Sequence, residues 1–117
     1  MKSGVVRYFK TVFLEEVDKF IEKVDPKIAR KIFYNIDLAE QTNDPRLLKK
    51  IRDEIWEFRV RYGNIQIRLL AFWDKTDNKN TLILVTHGFI KKSDKVPGIE
   101  IERAKKIRIR YFESKRH

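Results

Sequence analysis

Basic side chains that could bind an anion stand at the end of an apolar segment in the second half of the chain. The segment Thr81–Ile90 consists mostly of Leu, Ile, Val, Thr and Phe and runs directly into Lys91 and Lys92. Such a segment is typical of a largely buried strand, and a buried strand would hold the two ammonium groups rigidly. Because the formal net charge of the chain is +10, we expect the bound anion to be a phosphate.

A second group of charged residues alternates with apolar residues in the predicted strand Ile55–Arg61, where Glu57, Arg59 and Arg61 share one face. The next predicted strand adds Arg68 after a glycine-containing turn. Guanidinium groups donate in a planar fork that fits phosphate. Cations fixed near a reacting phosphate stabilise its transition state, in which charge builds on the oxygens. The same spacing also fits a structural cross-strand ion pair between Glu57 and an arginine.

The sequence lacks the residues and motifs that are typical of zinc sites, nucleotide-binding loops and serine or metal hydrolases. The chain has no Cys and two His, so we do not expect a zinc site. It contains no G-x-x-x-x-G-K-[ST], G-x-G-x-x-G, H-E-x-x-H or G-x-S-x-G motif. His87 has the side chain best suited to proton transfer near neutral pH, but a lone histidine within an apolar strand is more often structural. Metal-independent chemistry without a cofactor, or simple binding, is what we expect.

The positive charge is concentrated in one part of the chain. Residues 1–45 contain 8 Lys and Arg against 8 Asp and Glu, whereas residues 46–117 contain 19 against 9, which accounts for the whole excess of +10. A one-sided basic surface attracts polyanions, so nucleic acid or the ribosome is favoured, with an acidic protein or simple solvation as alternatives. The candidate RNA or ribosome contacts are Arg61, Lys92, Lys49, Lys50, Arg103 and Lys106.

The elements that must position these residues follow the order βααβββα in a single domain, residues 1–117. Apolar periodicity and turn residues predict a helical hairpin, three hairpin-linked antiparallel strands with two helices on one face, and a final helix, which together make an α+β fold. The predicted segments are strand Val5–Lys10, a helix capped by Thr11, a helix that starts at Asp25-Pro26 and ends at Thr42-Asn43-Asp44-Pro45, a basic connector Arg46–Glu54, strands Ile55–Arg61, Ile65–Trp73 and Thr81–Ile90, and helix Pro97–Ser114.

Three parts of the sequence form a distinctive combination: the run from Ile55 through Tyr62-Gly63 followed by Arg68, the run His87-Gly88-Phe89-Ile90-Lys91-Lys92, and a last helix with Glu100, Ala104 and Tyr111. Together they resemble the HigB-like, phage-derived branch of the RelE/ParE toxin superfamily. The resemblance spans nearly the whole chain and implies a RelE-like fold with a twisted antiparallel sheet. It also implies that Arg59, Arg68 and Lys91 bind phosphate and stabilise the transition state, with Arg61 and Lys92 beside them. The loop Ser93–Gly98 lacks the tyrosine of some relatives, and neither spacing nor resemblance assigns a general acid or base.

The function implied by the resemblance is that of a toxin of a type II toxin–antitoxin pair. Many such toxins are ribosome-dependent endoribonucleases that cut mRNA in the A site, by attack of the 2′-hydroxyl and without metal, and so inhibit translation. The implied partners are a helix-turn-helix antitoxin, the ribosome and mRNA. A ParE-like inhibitor of gyrase and a non-catalytic RNA-binding module are the alternatives. No apolar run reaches the ~20 residues that a membrane helix needs. The first residues, Met1 to Phe9, lack the apolar h-region of a signal peptide, so we expect a cytoplasmic protein with no membrane contact.

Overall fold

A sheet separates a pair of helices from a third helix in the computed structural model, which describes residues 6–86, the backbone of 89–90, and residues 96–115. The α+β class is therefore confirmed. In chain order, the elements are β1 (Lys10–Phe13), α1 (Glu15–Lys23), α2 (Pro26–Thr42), β2 (Leu48–Arg52), β3 (Ile55–Tyr62), β4 (Ile65–Asp74), a 3₁₀ turn (Thr76–Asn78), β5 (Thr81–Leu84), β6 (Phe89–Ile90) and α3 (Gly98–Lys115).

The strands of the sheet are ordered β1-β5-β4-β3-β2, and β6 pairs with β4 beyond the end of β5. The pairs β2–β3, β3–β4, β4–β5 and β4–β6 are antiparallel, whereas β1 pairs with β5 in parallel. The sheet is therefore mixed rather than wholly antiparallel as predicted. A predicted tight hairpin joins β3 to β4, and Gly63 takes the positive φ of 60° that the turn requires.

Both faces of the sheet are covered, because apolar residues alternate along β3 and β4 onto two clusters. One cluster packs the sheet against α1 and α2, and the other packs it against α3. The first contains Phe58, Val60, Ile67, Leu69 and Ala71 with Val17 and Ile32. The second contains Ile55, Leu70, Phe72 and Ile83 with Ile101 and Ala104. The central strands are consequently rigid supports for the charged residues at their ends.

The start of α2 agrees with the prediction because its signals are local. Asp25 is the N-cap, and its Oδ1 accepts a hydrogen bond of 2.8 Å from the backbone N–H of Lys27. Pro26 occupies the first turn, where its missing N–H is not needed. Asn43 ends the helix in the left-handed conformation, with φ of 55°.

The first strand and the first helix lie later in the chain than predicted. The strand expected over Val5–Lys10 is instead β1, and Thr11, the predicted helix cap, lies within it. The Thr11 hydroxyl donates to Oε2 of Glu40 at 2.7 Å. The helix α1 begins after Leu14, which provides no side-chain cap. Parallel pairing of β1 with β5, a tertiary contact, outweighs the local capping signal.

Two other predicted boundaries were wrong. The connector Arg46–Glu54 contains β2, an edge strand that pairs with β3 from Leu48 opposite Phe58 onward. The strand predicted over Thr81–Ile90 is interrupted after β5: four residues separate Leu84 from Phe89, while only two separate their partners on β4, Ala71 and Arg68. Pairing across the sheet, which periodicity does not reveal, decided both cases.

The last helix, α3, agrees with its prediction to within a residue at each end. Ile101 and Ala104 are buried against the sheet, and Ile107, Tyr111 and Phe112 pack around them, as the predicted apolar stripe required. In the described ranges, none of the helices combines the length and apolar character needed to cross a membrane.

Candidate functional site

Two arginines face each other across the β3–β4 hairpin. Arg59 of β3 is the direct cross-strand partner of Arg68 of β4, and both are held by the continuous antiparallel register from Trp56 to Tyr62. Like charges placed directly opposite each other repel, so this arrangement needs a compensating anion. Glu57, two residues before Arg59 and on the same face, supplies it.

The carboxylate of Glu57 lies between the two guanidinium groups. Its Oε1 accepts a hydrogen bond of 3.2 Å from Nε of Arg59, and its Oε2 lies 2.8 Å from Nε of Arg68 in an ion pair whose angles fall short of a hydrogen bond. Arg68 also donates from a terminal nitrogen to the Gln66 side chain at 3.2 Å. The three charged groups together carry one net positive charge, so the cluster attracts an anion even after its internal pairing.

Exposure separates the roles within this cluster. The side chain of Glu57 is 4% exposed and that of Arg68 is 9% exposed, whereas that of Arg59 is 33% exposed. Arg59 is therefore the member most open to a ligand from solvent, and Arg68 lies deeper in the fold. Glu57 is turned toward the arginines rather than toward solvent, which makes it a residue that positions them.

A cavity of about 470 Å³ lies beside the two arginines, between α2 and the β3–β4 hairpin. Its lining includes five cationic side chains and no acidic one; the cations are Lys31, Arg46, Arg59, Arg61 and Arg68. A second cavity, of about 320 Å³, lies between β2, β3 and α3 and also includes Arg59 in its lining. Arg59 thus stands where the two cavities meet, and a strand of linked phosphates could contact both.

The other predicted contacts on β2 and β3 surround this region. Arg61 lines the larger cavity and donates a long hydrogen bond of 3.4 Å to the backbone carbonyl of Gly63. Lys49 pairs with Glu57 across β2–β3 and so lies on the arginine face, whereas Lys50 pairs with Trp56 on the opposite face. Both lysines are exposed, and both line the smaller cavity.

The predicted contacts on α3 are not brought to the arginine cluster. Arg103 forms an ion pair with Glu16 of α1 at 2.5 Å, which ties α3 to the other helical layer. Lys106 is exposed on α3. Neither residue lines the two cavities that meet at Arg59. Their predicted contact with RNA or the ribosome remains a prediction for a different part of the surface.

The predicted cations Lys91 and Lys92 lie outside the described residues, and so does His87. The described backbone just before them, β6, pairs with β4, with Phe89 opposite Arg68 and Ile90 opposite Ile67. The participation of Lys91 and Lys92 at the site stays a prediction.

A buried acidic residue at the far end of β4 anchors the last helix. Asp74 accepts hydrogen bonds from the Tyr111 hydroxyl at 2.6 Å and from Nζ of Lys115 at 2.8 Å, and also from the backbone and side chain of Thr76. Burial raises the pKa of Asp74, but these hydrogen bonds outweigh it and hold that pKa well below its usual range. The hydrogen bond to Asp74 raises the pKa of Lys115, while burial is the first cause of the raised pKa of Tyr111. This network is structural, and it stabilises the docking of α3 on the sheet.

Within residues 6–86 and 96–115, no group of three or more His, Asp and Glu side chains is placed to hold a metal ion.

A family model described as "Phage derived protein Gp49-like (DUF891)" matches residues 19–108, which include α2, the whole β3–β4 hairpin and most of α3. The chain belongs to the Gp49-like family. Membership confirms the resemblance to the phage-derived, HigB-like branch of RelE-like toxins.

Comparison with solved structures gives a match to the RelBE2 toxin–antitoxin complex from Mycobacterium tuberculosis. The match covers 71% of this chain and 98% of the other, with 18% sequence identity and a TM-score of 0.49. No curated protein matches the chain significantly.

Sequence reasoning found the arginines of this Gp49-like protein but missed one wall of the cavity beside them. That wall is a stripe on α2 formed by Lys31, Tyr34, Asn35 and Leu38. These residues are spaced i, i+3, i+4 and i+7, which places them on one helix face. The spacing was available in the sequence, but only the packing of α2 against the sheet shows that this face borders the arginines.

Proposed function

We propose that this RelE-like toxin is a ribosome-dependent endoribonuclease that cuts mRNA without a metal ion and thereby stops translation. The observation that supports the proposal is the placement of Arg59 and Arg68 directly opposite each other on β3 and β4, with both guanidinium groups held by Glu57. Preorganised cations of this kind suit a phosphate that gains negative charge during reaction, because they need no reorganisation at that moment.

The proposed reaction is an internal transfer at one phosphate of the RNA. The 2′-oxygen attacks the neighbouring phosphorus and loses its proton, and the bond from phosphorus to the 5′-oxygen of the next nucleotide breaks as that oxygen gains a proton. The products are a 2′,3′-cyclic phosphate and a free 5′-hydroxyl. Arg59, the more exposed arginine, binds the non-bridging oxygens. Arg68, the more buried one, contributes a second positive charge that stabilises the negative charge on the phosphate.

Programmed ribosomes provide the test. Cleavage of A-site mRNA is measured by primer extension with wild-type protein, Arg59→Ala, Arg59→Lys and the control Arg30→Ala, an exposed arginine of α2 outside the cavity. We expect Arg59→Ala to lose about 10²–10³-fold in rate, as removal of one transition-state donor usually does. Arg59→Lys should recover only part of the activity, because an ammonium group lacks the planar fork, and Arg30→Ala should match wild type.

The contrary results distinguish a wrong site from a different function. Equal cleavage by Arg59→Ala and wild type would refute the role of the arginine pair. Intact mRNA together with inhibited gyrase would support a ParE-like toxin. Salt-sensitive RNA binding with no cleavage would support a non-catalytic RNA-binding module.

The proposed partners follow from the same class of protein. A toxin that cuts mRNA must be masked, and we propose a helix-turn-helix antitoxin encoded beside it, with the cytoplasm, where ribosomes work, as the place of action. Co-expression of the adjacent small open reading frame with the toxin tests this. A stable complex that restores growth supports the partner, and separate elution of the two proteins with continued growth arrest contradicts it.

A further inference from the structure

One buried polar side chain in the larger cavity lacks an internal partner. Asn35 of α2 is 6% exposed and lines the cavity of about 470 Å³ beside the arginines. Over the described part of the chain, its side-chain amide makes no hydrogen bond to the protein, and its polar atoms are not among those fully enclosed by protein. Side-chain amides in the interior usually have a hydrogen-bond partner, and an amide that stays accessible from the cavity can take one from a ligand there.

An aromatic ring stands next to this amide on the same helix face. Tyr34 is 61% exposed although it is a large apolar side chain, and it also lines the cavity. Nζ of Lys31 lies over its ring, 5.8 Å from the centre, so a cation stands at one face of this aromatic side chain. Leu38 continues the wall one turn further along α2.

The charge of the cavity defines the ligand. Its lining has five cationic side chains and no acidic one; Arg46 is paired with Asp44 at 2.8 Å, and Arg59 and Arg68 share Glu57, so the net charge of the region is smaller but still positive. An exposed ring, an amide and several cations together match a single-stranded nucleotide: the base stacks, its edge forms hydrogen bonds, and the phosphates contact the cations. An acidic peptide would use the cations but would leave the ring and the amide without specific partners.

We propose that the cavity between α2 and the β3–β4 hairpin is a nucleobase subsite for the RNA nucleotide next to the phosphate held by Arg59. Tyr34 stacks on the base, Asn35 binds the base edge and so contributes to sequence preference, and Lys31 contacts a neighbouring phosphate. This subsite rests on the proposed function, since it takes RNA as the substrate.

Binding of short single-stranded RNA tests the stacking role without the ribosome. Fluorescence anisotropy with labelled oligo(A) and oligo(U) compares wild type with Tyr34→Ala, Tyr34→Phe and the control Tyr8→Ala, an exposed tyrosine that lines other cavities. Tyr34→Ala should weaken binding about 5- to 150-fold, the range for one stacked base. Tyr34→Phe, which keeps the ring, and Tyr8→Ala should bind like wild type.

Salt dependence separates the phosphate contact from the stacking contact. The logarithm of the RNA-binding constant falls linearly with the logarithm of the salt concentration. Between about 50 mM and about 200 mM salt, Lys31→Ala should make this slope less steep by about 0.7, the value for one lost phosphate contact on a single strand. Tyr34→Ala should leave the slope unchanged. Lys27→Ala, an exposed lysine of α2 outside the cavity, is the matched control.

The ratio of affinities for oligo(A) and oligo(U) tests Asn35. Wild type should prefer one of the two, and Asn35→Ala should bring the ratio close to one. Asn35→Asp keeps the shape of the side chain but replaces its NH₂ donor by an acceptor, so a change in the ratio there reports the lost donor, provided that thermal melting shows the variant to be folded. An equal affinity of wild type for both RNAs, or an unchanged ratio in both variants, would overturn the assignment of Asn35.

Failure of the subsite is distinguishable from failure of the proposed function. If Arg59→Ala abolishes cleavage on ribosomes while Tyr34→Ala matches Tyr8→Ala in binding and cleavage, the subsite is refuted and the endoribonuclease stands. If Tyr34→Ala weakens RNA binding but wild type does not cut mRNA, the subsite stands and the endoribonuclease fails. If Tyr34→Ala weakens binding of the antitoxin but not of RNA, the cavity is a protein-docking site and the RNA subsite is refuted. The subsite is also refuted if the wild-type protein binds no RNA.

Discussion

Replacement of Glu57 should destabilise the protein far more than its two ion pairs would suggest at a surface. Glu57 is 4% exposed and its partner Arg68 is 9% exposed, with 2.8 Å between Oε2 and Nε. Removal of Glu57 leaves the charge of Arg68 buried and uncompensated, which costs about 3–5 kcal/mol. Arg59 is 33% exposed, so water can solvate it, and its lost contact adds less than about 1 kcal/mol.

A double-mutant cycle measures this coupling. We expect Glu57→Leu to lower the free energy of unfolding by about 3–5 kcal/mol. Arg68→Met should cost less, about 1–3 kcal/mol, because Glu57 keeps its hydrogen bond from Arg59. The double variant, which buries no unpaired charge at this contact, should lie within about 1 kcal/mol of wild type or above it. Urea unfolding followed by linear extrapolation gives the free energies, provided that the m-value stays constant. Lys19→Met, which breaks an exposed pair with Glu15, is the control and should change stability by less than about 0.5 kcal/mol.

The same variants separate stability from function. The double variant should fold well yet lose cleavage, because it lacks both Arg68 and the carboxylate that orients Arg59. The reasoning would be refuted if each single substitution cost less than about 1 kcal/mol, or if the cost of the double variant equalled the sum of the two single costs. It would also be refuted if the double variant cut mRNA at the wild-type rate.

Three other predictions concern the rest of the fold. The pKa of Asp74 is depressed in the folded protein. Its contribution to stability is therefore complete above the unfolded pKa of about 4 and is lost as the pH falls toward the folded pKa. Asp74→Asn should be less stable than wild type at neutral pH, and acid unfolding experiments should show this difference shrink as the pH falls. Asp25→Ala removes the hydrogen bond that caps α2 and should lower the free energy of unfolding by about 0.5–2 kcal/mol in urea titrations, and no change would contradict the capping role. Gly63→Ala should destabilise by about 1 kcal/mol because of its positive φ, although nothing lies within 4 Å of the added carbon. Gly98→Ala, which has no positive φ and meets Arg52 at 3.8 Å, should be neutral or slightly stabilising by thermal melting, so equal losses at the two glycines would contradict the backbone argument.

Features with local causes were predictable from the sequence. Asp25 and Pro26 predicted the start of α2, and the glycine turn with its alternating flanks predicted the β3–β4 hairpin. Once the turn is known, the register of the hairpin follows, and so does the proximity of Glu57, Arg59 and Arg68. The alternation also implied that these three residues share a face, which the structure bears out.

Features that depend on distant pairing were not predictable in this way. The parallel contact of β1 with β5 moved the first strand and left Thr11 inside it. Pairing with β3 turned a basic connector into the edge strand β2. In each case the local pattern allowed more than one structure, and the free energy of strand pairing across the sheet selected among them.

The sequence by itself determined the chemistry of this protein: a basic half, an arginine pair on neighbouring strands, and membership of a family of RelE-like toxins. Only the tertiary structure decided how those charges are arranged and buried. Burial of Glu57 makes it a positioning group for Arg59 and Arg68, and the packing of α2 places Tyr34 and Asn35 at the same cavity. The physical reason is that burial and solvent exposure, which set the strength of an ion pair and the availability of an amide, arise only when separate elements pack together.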